Sequence, residues 1–262
     1  MILAAISANI PLPSTGKIIA FVLVLARIGA AFSLAPAIAG KNVPVRIKAI
    51  LAIFISLLLV SVVANPKNLD TAPIGMITVL MLKEVIMGLA IGLAMSAIVA
   101  IWSLAGAYLD LSTGFSYGGV IDPQYGNQSA LLQQIYTLLA AVIFVTMGGV
   151  QILIETLAMS FQTVPLASFP PSSDLAQLAL AILTSVFVAG LGLLAPPLIA
   201  LFLTDLAFGL IARAAPQTQI IALEFPVKIA VAIVVIVATI PWMVPFLTKN
   251  MMHMSRLVLG GG

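Results

Sequence analysis

The sequence predicts an all-α, polytopic membrane protein, because charged residues are scarce and apolar stretches are long. Of the 262 residues, 7% are charged and 62% are hydrophobic, and the mean hydropathy is +1.24. Soluble domains carry about 25% charged residues, so this chain has too few charges to cover a water-exposed surface. The composition excludes a cytosolic enzyme, a nucleic-acid binder and a disordered chain.

Long apolar stretches indicate helices rather than strands. A helix needs about 20 apolar residues to cross the ~30 Å hydrocarbon core, whereas barrel strands are ~10-residue segments of alternating polarity. We expect one integral-membrane domain over residues 1–262, because no internal repeat is visible. The predicted helical stretches are 18–38, 47–64, 74–104, 131–160, 175–211 and 228–247.

Two of these stretches exceed one span, which predicts tilted helices or bent hairpins. Residues 175–211 contain Pro196-Pro197, whose missing N–H groups are expected to break or kink a helix. Residues 74–104 contain Lys83-Glu84 followed by two glycines. Inside lipid, an interrupted helix persists only where protein or water satisfies its freed backbone groups.

The termini and loops give little information on orientation. Residues 1–10 have no positive charge ahead of an apolar core, so we expect no cleaved signal peptide.

Lys and Arg divide almost evenly between the loops assigned to the two sides, so the positive-inside rule does not set the orientation.

Charges within apolar stretches are the most informative single residues, because each is costly unless it is paired or hydrated. They are Arg27, Glu84, Glu155 and Asp205. One interpretation is an ion or proton pathway, and the other is pairing of Arg27 with a buried acid. A proton relay would need several acids and histidines, but His253 is the one histidine and lies near the end of the chain. Pairing is therefore favoured.

Small and acidic residues recur at four-residue spacing, which lets two helix backbones approach closely. The first set is Glu84, Gly88, Gly92 and Ser96, and the second contains Gly106, Asp110 and Gly114. We expect the helix carrying the second set to end near residues 112–114, where glycine-rich sequence begins.

A third set with this spacing is Asp205, Gly209 and Arg213. Asp205 and Arg213 are about 12 Å apart along a helix axis, so we expect their partners to lie elsewhere. The helix should end before Pro216, because the residue preceding a proline is disfavoured in helical conformation.

The loop over residues 112–130 is polar, long and free of Lys and Arg, and it contains Phe115, Tyr117 and Ile121. Bulky side chains on a glycine-rich loop suit a gate or plug that moves aside. An ordinary connecting loop is the alternative. No catalytic motif accompanies it: cysteines are absent and the pattern of a histidine-dependent triad or metal site is missing. We therefore expect no catalytic residues, cofactor or metal.

Several short motifs follow one another between residues 27 and 228. They are Arg27-x-Gly29, Val43-Pro44-Val45-Arg46, Lys83-Glu84-Val85-Ile86-Met87-Gly88, Gly106-x-x-x-Asp110-x-x-x-Gly114-Phe115-Ser116, Asp122-Pro123, and the block from Pro196 through Asp205 and Arg213 to Pro216-Gln217. In this order and spacing they resemble the FliR family of flagellar biosynthetic proteins and its injectisome counterparts.

The resemblance implies a non-enzymatic subunit of a type III export gate in the bacterial inner membrane, at the flagellar basal body. Its implied partners are FliP-like and FliQ-like subunits, FlhB-like and FlhA-like proteins, unfolded export substrates and membrane lipid, with no nucleic acid. It also implies a pore plug near residues 112–126, with Phe115, Tyr117, Ile121, Asp122 and Pro123.

The same resemblance implies that the remaining motif residues serve subunit contact and packing. These residues are Arg27, Glu84, Gly88, Gly92, Asp110, Asp205, Gly209, Arg213 and Pro216. Three other functions stay open: an injectisome gate subunit, an assembly factor that lines no pore, and an ion-coupled transporter. A transporter should show paired internal repeats with broken helices, and the sequence shows none.

Overall fold

Every regular element that the computed structural model describes is an α-helix, which confirms the all-α prediction. The structure describes residues 14–36, 38–39, 43–63, 73–114, 130–168, 172–214 and 220–259. The helices are α1 (Thr15–Leu34), α2 (Val45–Val60), α3 (Ile74–Thr113), α4 (Leu131–Thr146), α5 (Gly149–Thr163), α6 (Ser172–Ala214) and α7 (Ile220–Val258).

Four helices in the described ranges, α1, α3, α6 and α7, are long and apolar enough to cross a membrane. The pair α4 and α5, bent by 64° at its junction, makes five if it counts as one broken span. Helix α2 has 16 residues, short of the ~20 that a span needs. Six apolar stretches therefore correspond to four or five candidate spans.

Helix α3 is the centre of the fold. Its 40 residues extend for about 60 Å, and α1, α4, α6 and α7 all pack against it. Large side chains at its middle, including Ile91, Met95, Ile98 and Trp102, are almost completely buried. Residues 88 and 92 of α3 meet residues 27 and 31 of α1, so these helices run parallel. Helix α4 returns antiparallel along the second half of α3.

The bend between α4 and α5 corrects the prediction of one helix over residues 131–160. Gly148 at the junction has φ 74°, a left-handed conformation that suits glycine. A Cβ on Gly149 would lie 2.6 Å from the carbonyl oxygen of Phe144. Two adjacent glycines therefore allow the chain to change direction where any larger residue would clash.

Helices α6 and α7 form a long pair with little burial. Their most apolar windows are 17% buried, against 56% for α3. Pro196 and Pro197 lie inside α6 and do not end it; of the expected break or kink, the break does not occur. The pair thus presents an extended apolar surface, which includes Phe187, Leu191, Phe202 and Leu210.

Candidate functional site: two carboxylate centres on the central helix

A buried ion pair joins α1 to α3. Arg27 Nε donates to Glu84 Oε2 at 2.6 Å, and neither side chain is exposed. Such a pair is stable only if the other polar atoms also find partners, since removing two charges from water costs more than their attraction returns. The structure thus pairs Arg27 with Glu84, one of the acids singled out in the sequence.

Helix α5 and the segment after it complete the hydrogen bonds of the Arg27 guanidinium. Nη1 donates to Ser160 Oγ at 3.1 Å and to the Ser160 carbonyl at 3.2 Å. Both Nη atoms donate to the Val164 carbonyl, at 3.1 and 3.2 Å. These carbonyls lie at the C-terminal end of α5, where the helix dipole favours a cation. The Phe161 ring covers the guanidinium, with its centroid 4.1 Å from Cζ.

The second oxygen of Glu84 binds the segment that follows α5. Oε1 accepts the N–H of Ala167 at 3.0 Å. Ala167 has φ 66°, a region that residues with a Cβ adopt infrequently. We infer that the contact with Glu84 helps to hold this strained turn, so one carboxylate organises three separate parts of the chain.

Glycines bring α1 and α3 close enough for this pair to form. A Cβ on Gly88 would overlap the carbonyl oxygen of Arg27, and one on Gly92 would lie 2.6 Å from that of Ala31. The helices therefore meet backbone to backbone, as small-residue spacing allows. Ser96, the last member of the set, bonds to the Leu93 carbonyl of its own helix.

Asp110, near the end of α3, forms a second carboxylate centre, and no cation among the described residues pairs with it. Oδ1 accepts the N–H of Leu132 and Oδ2 accepts the N–H of Gln133, both at 2.8 Å. Asp110 is 1% exposed. The first N–H groups of a helix lack internal partners, and negative charge is favoured there. Asp110 therefore caps α4 from a different helix.

The two glycines around Asp110 allow close contacts with two different helices, α4 and α7. A Cβ on Gly106 would lie 2.8 Å from the Leu132 carbonyl oxygen and even closer to Gln133 Cα. Gly114 follows the last residue of α3 with φ 90°, and a Cβ there would overlap the ring of Phe225. Gly106 permits close packing with α4, and Gly114 ends α3 as predicted.

These contacts hold together the two ends of the segment between α3 and α4. Asp110 lies four residues before Gly114, where α3 ends, and its carboxylate binds the N–H groups of Leu132 and Gln133 in the first turn of α4. The predicted plug residues Phe115, Tyr117, Ile121, Asp122 and Pro123 lie outside the described residues. The structure thus places the base of this loop, and the plug stays a prediction.

The third set of spaced residues lies on a surface that the described residues leave open. The side chain of Asp205 is 50% exposed and pairs with Lys228 at 2.7 Å, while Glu224 binds the same ammonium at 2.6 Å. Arg213 is exposed, and a Cβ on Gly209 would meet nothing within 4 Å. Within this chain these residues of α6 are not buried packing residues. Pro216 lies outside the described residues.

The sequence did not indicate the backbone groups that complete both centres. The Ser160 and Val164 carbonyls and the Ala167 N–H carry no signal in residue type, because every residue has such groups. Glu155, expected to be a buried charge, is exposed and accepts a hydrogen bond from Gln151 at 2.9 Å. Over the ranges that the structure covers, no three His, Cys, Asp or Glu residues could hold a metal.

The fold and these centres define a polytopic helical membrane protein, built on one long central helix whose end is joined to α4 by the Asp110 carboxylate. The description "Bacterial export proteins, family 1" belongs to a family that matches residues 18–254. The chain belongs to this family, and the resemblance to FliR proteins is confirmed.

Comparisons with individual proteins agree with this family assignment. Flagellar biosynthetic protein FliR of Bacillus subtilis is 32% identical over 83% of this chain and 85% of its own length. The FliR protein of Escherichia coli is 35% identical over 85% of this chain and 84% of its own length. Surface presentation of antigens protein SpaR of Shigella flexneri is 30% identical over 60% of each chain.

Proposed function

We propose that this chain is a subunit of a flagellar type III protein export gate in the bacterial inner membrane. In this proposal it joins FliP-like and FliQ-like subunits to form and seal the channel for unfolded flagellar proteins. FlhB-like and FlhA-like proteins complete the apparatus. The flagellar relatives support the choice of appendage, because FliR of Bacillus subtilis aligns over 85% of its length and SpaR over 60%.

The clamp at Asp110 is the structural observation that carries the sealing role. A seal must change conformation without detaching from the wall that holds it. Both ends of the segment 115–129 are fixed at one point by the hydrogen bonds of Asp110 to α4. We propose that the sequence between these two points supplies the seal, because bulky side chains in a glycine-rich segment suit a gate.

The mechanism in this proposal is passive. The chain supplies a rigid frame through the Arg27–Glu84 pair and a movable seal through the loop. The energy for export comes from the proton gradient and an ATPase that act on other subunits. The Asp205–Lys228 ion pair between α6 and α7 supports a role in contacts between subunits, because a charge in an apolar helix is costly unless protein or water covers it.

Deletion of the gene tests the proposal at the level of the cell. We expect cells without flagella, with unassembled rod and hook, restored by the native gene and by the exposed-site control Glu155→Gln. Normal flagella with loss of effector secretion would assign the protein to an injectisome. Intact appendages with a defect in solute uptake would replace the proposal by a transporter.

A cross-linking experiment distinguishes a channel subunit from an assembly factor. A photoreactive residue at position 117 is expected to cross-link to an export substrate stalled in the gate. The matched control places the same group at position 155, on the exposed face of α5. Cross-links to substrate that are no more frequent at 117 than at 155 would contradict the channel role.

A further inference from the structure

A strained turn lies on the connection from α5 to α6. The Ser168 N–H donates to the Pro165 carbonyl at 3.0 Å and closes this turn, and α6 begins shortly afterwards at Ser172. Ala167 occupies the third position of the turn with φ 66°. Turns with positive φ at this position take glycine or asparagine, because a Cβ is unfavourable there. The turn therefore needs support from its surroundings.

The Arg27–Glu84 pair supplies this support. The Val164 carbonyl accepts hydrogen bonds from both Nη atoms of Arg27, at 3.1 and 3.2 Å. The Ala167 N–H donates to Glu84 Oε1 at 3.0 Å, while Glu84 Oε2 binds Arg27. In a β-turn that began at Val164, these two backbone groups would bond to each other. The ion pair is inserted between them, so α1 and α3 hold the chain at this point.

Helices α6 and α7 are held to the rest of the chain by little buried surface. Both pack against α3, yet only a small share of their most apolar stretches is buried. Elements with few buried apolar contacts are the ones that move at low cost. A change of conformation at residues 165–168 would therefore displace α6 and α7 relative to α1–α5.

We propose that the Arg27–Glu84 pair is a latch on this turn and thereby sets the position of α6 and α7. While the latch is closed, Glu84 holds Ala167 at positive φ, and α6 starts in one fixed direction. When Glu84 releases the N–H, Ala167 relaxes to negative φ, and α6 and α7 shift together. The use of this shift in opening the channel rests on the proposed function, whereas the latch itself does not.

Distances between α5 and α6 in the full chain, measured in detergent by electron resonance, test the latch. Because the sequence has no cysteine, spin labels can be attached to cysteines introduced at positions 159 and 206, which are exposed. Position 206 lies far along α6, so a small rotation at the turn gives a large displacement there. The native chain should give one narrow distribution of distances.

Shortening the carboxylate should open the latch without removing the charge. Glu84→Asp remains a counter-charge for Arg27 but is one methylene shorter, so it cannot hold Arg27 and Ala167 at once. We expect a second, broader population of distances. Exchange of the Ala167 amide should be about tenfold faster, as expected for the loss of a hydrogen bond to a charged group. E155D shortens an exposed glutamate of α5 and should match the native chain.

Substitutions at position 167 separate the latch from general destabilisation. Adding A167G to E84D should restore one narrow distribution, because glycine adopts positive φ without support. A167V leaves the ion pair in place but should give the second population, because a β-branched residue strongly disfavours positive φ. Native distances and native Ala167 exchange in both E84D and A167V would overturn the proposal.

Two further outcomes are decisive. A second population in E84D that A167G does not remove would overturn the latch, because strain at the turn would then not be its cause. In cells, A167V should impair assembly of flagella and A167G should not. A displaced α6 in A167V together with normal swimming would contradict the use of the shift in the channel and leave the latch in place.

Discussion

The two ends of α3 use a carboxylate and a nearby glycine in different ways. Glu84 is neutralised by a buried arginine, and Gly88 allows the helix that carries this arginine to approach. The Asp110 carboxylate accepts hydrogen bonds from two N–H groups of α4, and Gly106 allows that helix to approach. The same four-residue spacing thus supports an ion pair at one end and a helix cap at the other. The ion pair requires a negative charge at position 84, whereas the helix cap requires only acceptor oxygens at position 110.

Removing the charge at position 84 should have the largest effect. Glu84→Gln leaves the Arg27 cation buried without its counter-charge, and breaking a buried pair in this way destabilises proteins by about 3–5 kcal/mol. We expect a clear fall in the unfolding temperature of the purified protein in detergent and low levels in the membrane. Glu155→Gln, an exposed change of the same type, should match the native protein. Equal unfolding temperatures for the two variants would contradict the account of this centre.

Filling the contact between α1 and α3 should have the second-largest effect on stability. In Gly88→Ala the new methyl group meets the Arg27 carbonyl oxygen, which belongs to a helix backbone and cannot move aside alone. Overpacking of this kind costs about 1–3 kcal/mol. Gly209→Ala is the matched control, because it enters open space and should leave the unfolding temperature unchanged or slightly raised. A Gly88→Ala protein as stable as Gly209→Ala would show that the helices are farther apart.

Changing the cap should have a smaller and more local effect. Asp110→Ala removes both acceptors of the α4 N–H groups, a loss of about 0.5–2 kcal/mol. Asp110→Asn keeps one acceptor oxygen and should lose less. Hydrogen exchange at the Leu132 and Gln133 amides measures this directly, with faster exchange in the alanine variant. If the asparagine variant exchanges as fast as the alanine variant, the negative charge matters more than the acceptor.

The smallest effect is expected at the half-exposed Asp205, which pairs with the buried Lys228 of α7. In Asp205→Asn, Lys228 keeps its 2.6 Å contact with Glu224, and exposed pairs contribute less than about 1 kcal/mol. The unfolding temperature of the isolated chain should stay within error of the native value. A large drop would mean that the pair is buried by more than the described residues show. A defect confined to assembly of the gate would instead support the proposed subunit contact at this surface.

The features that depend on side-chain type were predictable from the sequence. Long apolar stretches predicted helices, and the high cost of a charge in apolar surroundings predicted a partner for Arg27. Four-residue glycine spacing predicted close helix packing, which the Gly88 and Gly106 contacts show. These predictions succeed because each follows from the solvation or the size of a particular side chain.

The features that depend on backbone groups and packing were not predictable. Pro196 and Pro197 were expected to break or kink α6, and the helix continues through them without a break. The bend at Gly148 was missed, because an isolated pair of glycines is common in membrane helices. Which helix end would receive Arg27 or Asp110 depends on the arrangement of α4 and α5 around α3, and no residue type encodes that arrangement.

The length of α3 has a consequence for the position of the protein in its membrane. Glu84 and Asp110 are separated by 26 residues of one helix, which corresponds to about 39 Å. The hydrocarbon core measures about 30 Å, and spanning helices tilt by about 20° on average. At that tilt the two carboxylates cannot both lie within the core. A helix that crosses a bilayer at this average tilt would place at least one of the two centres outside the hydrocarbon core.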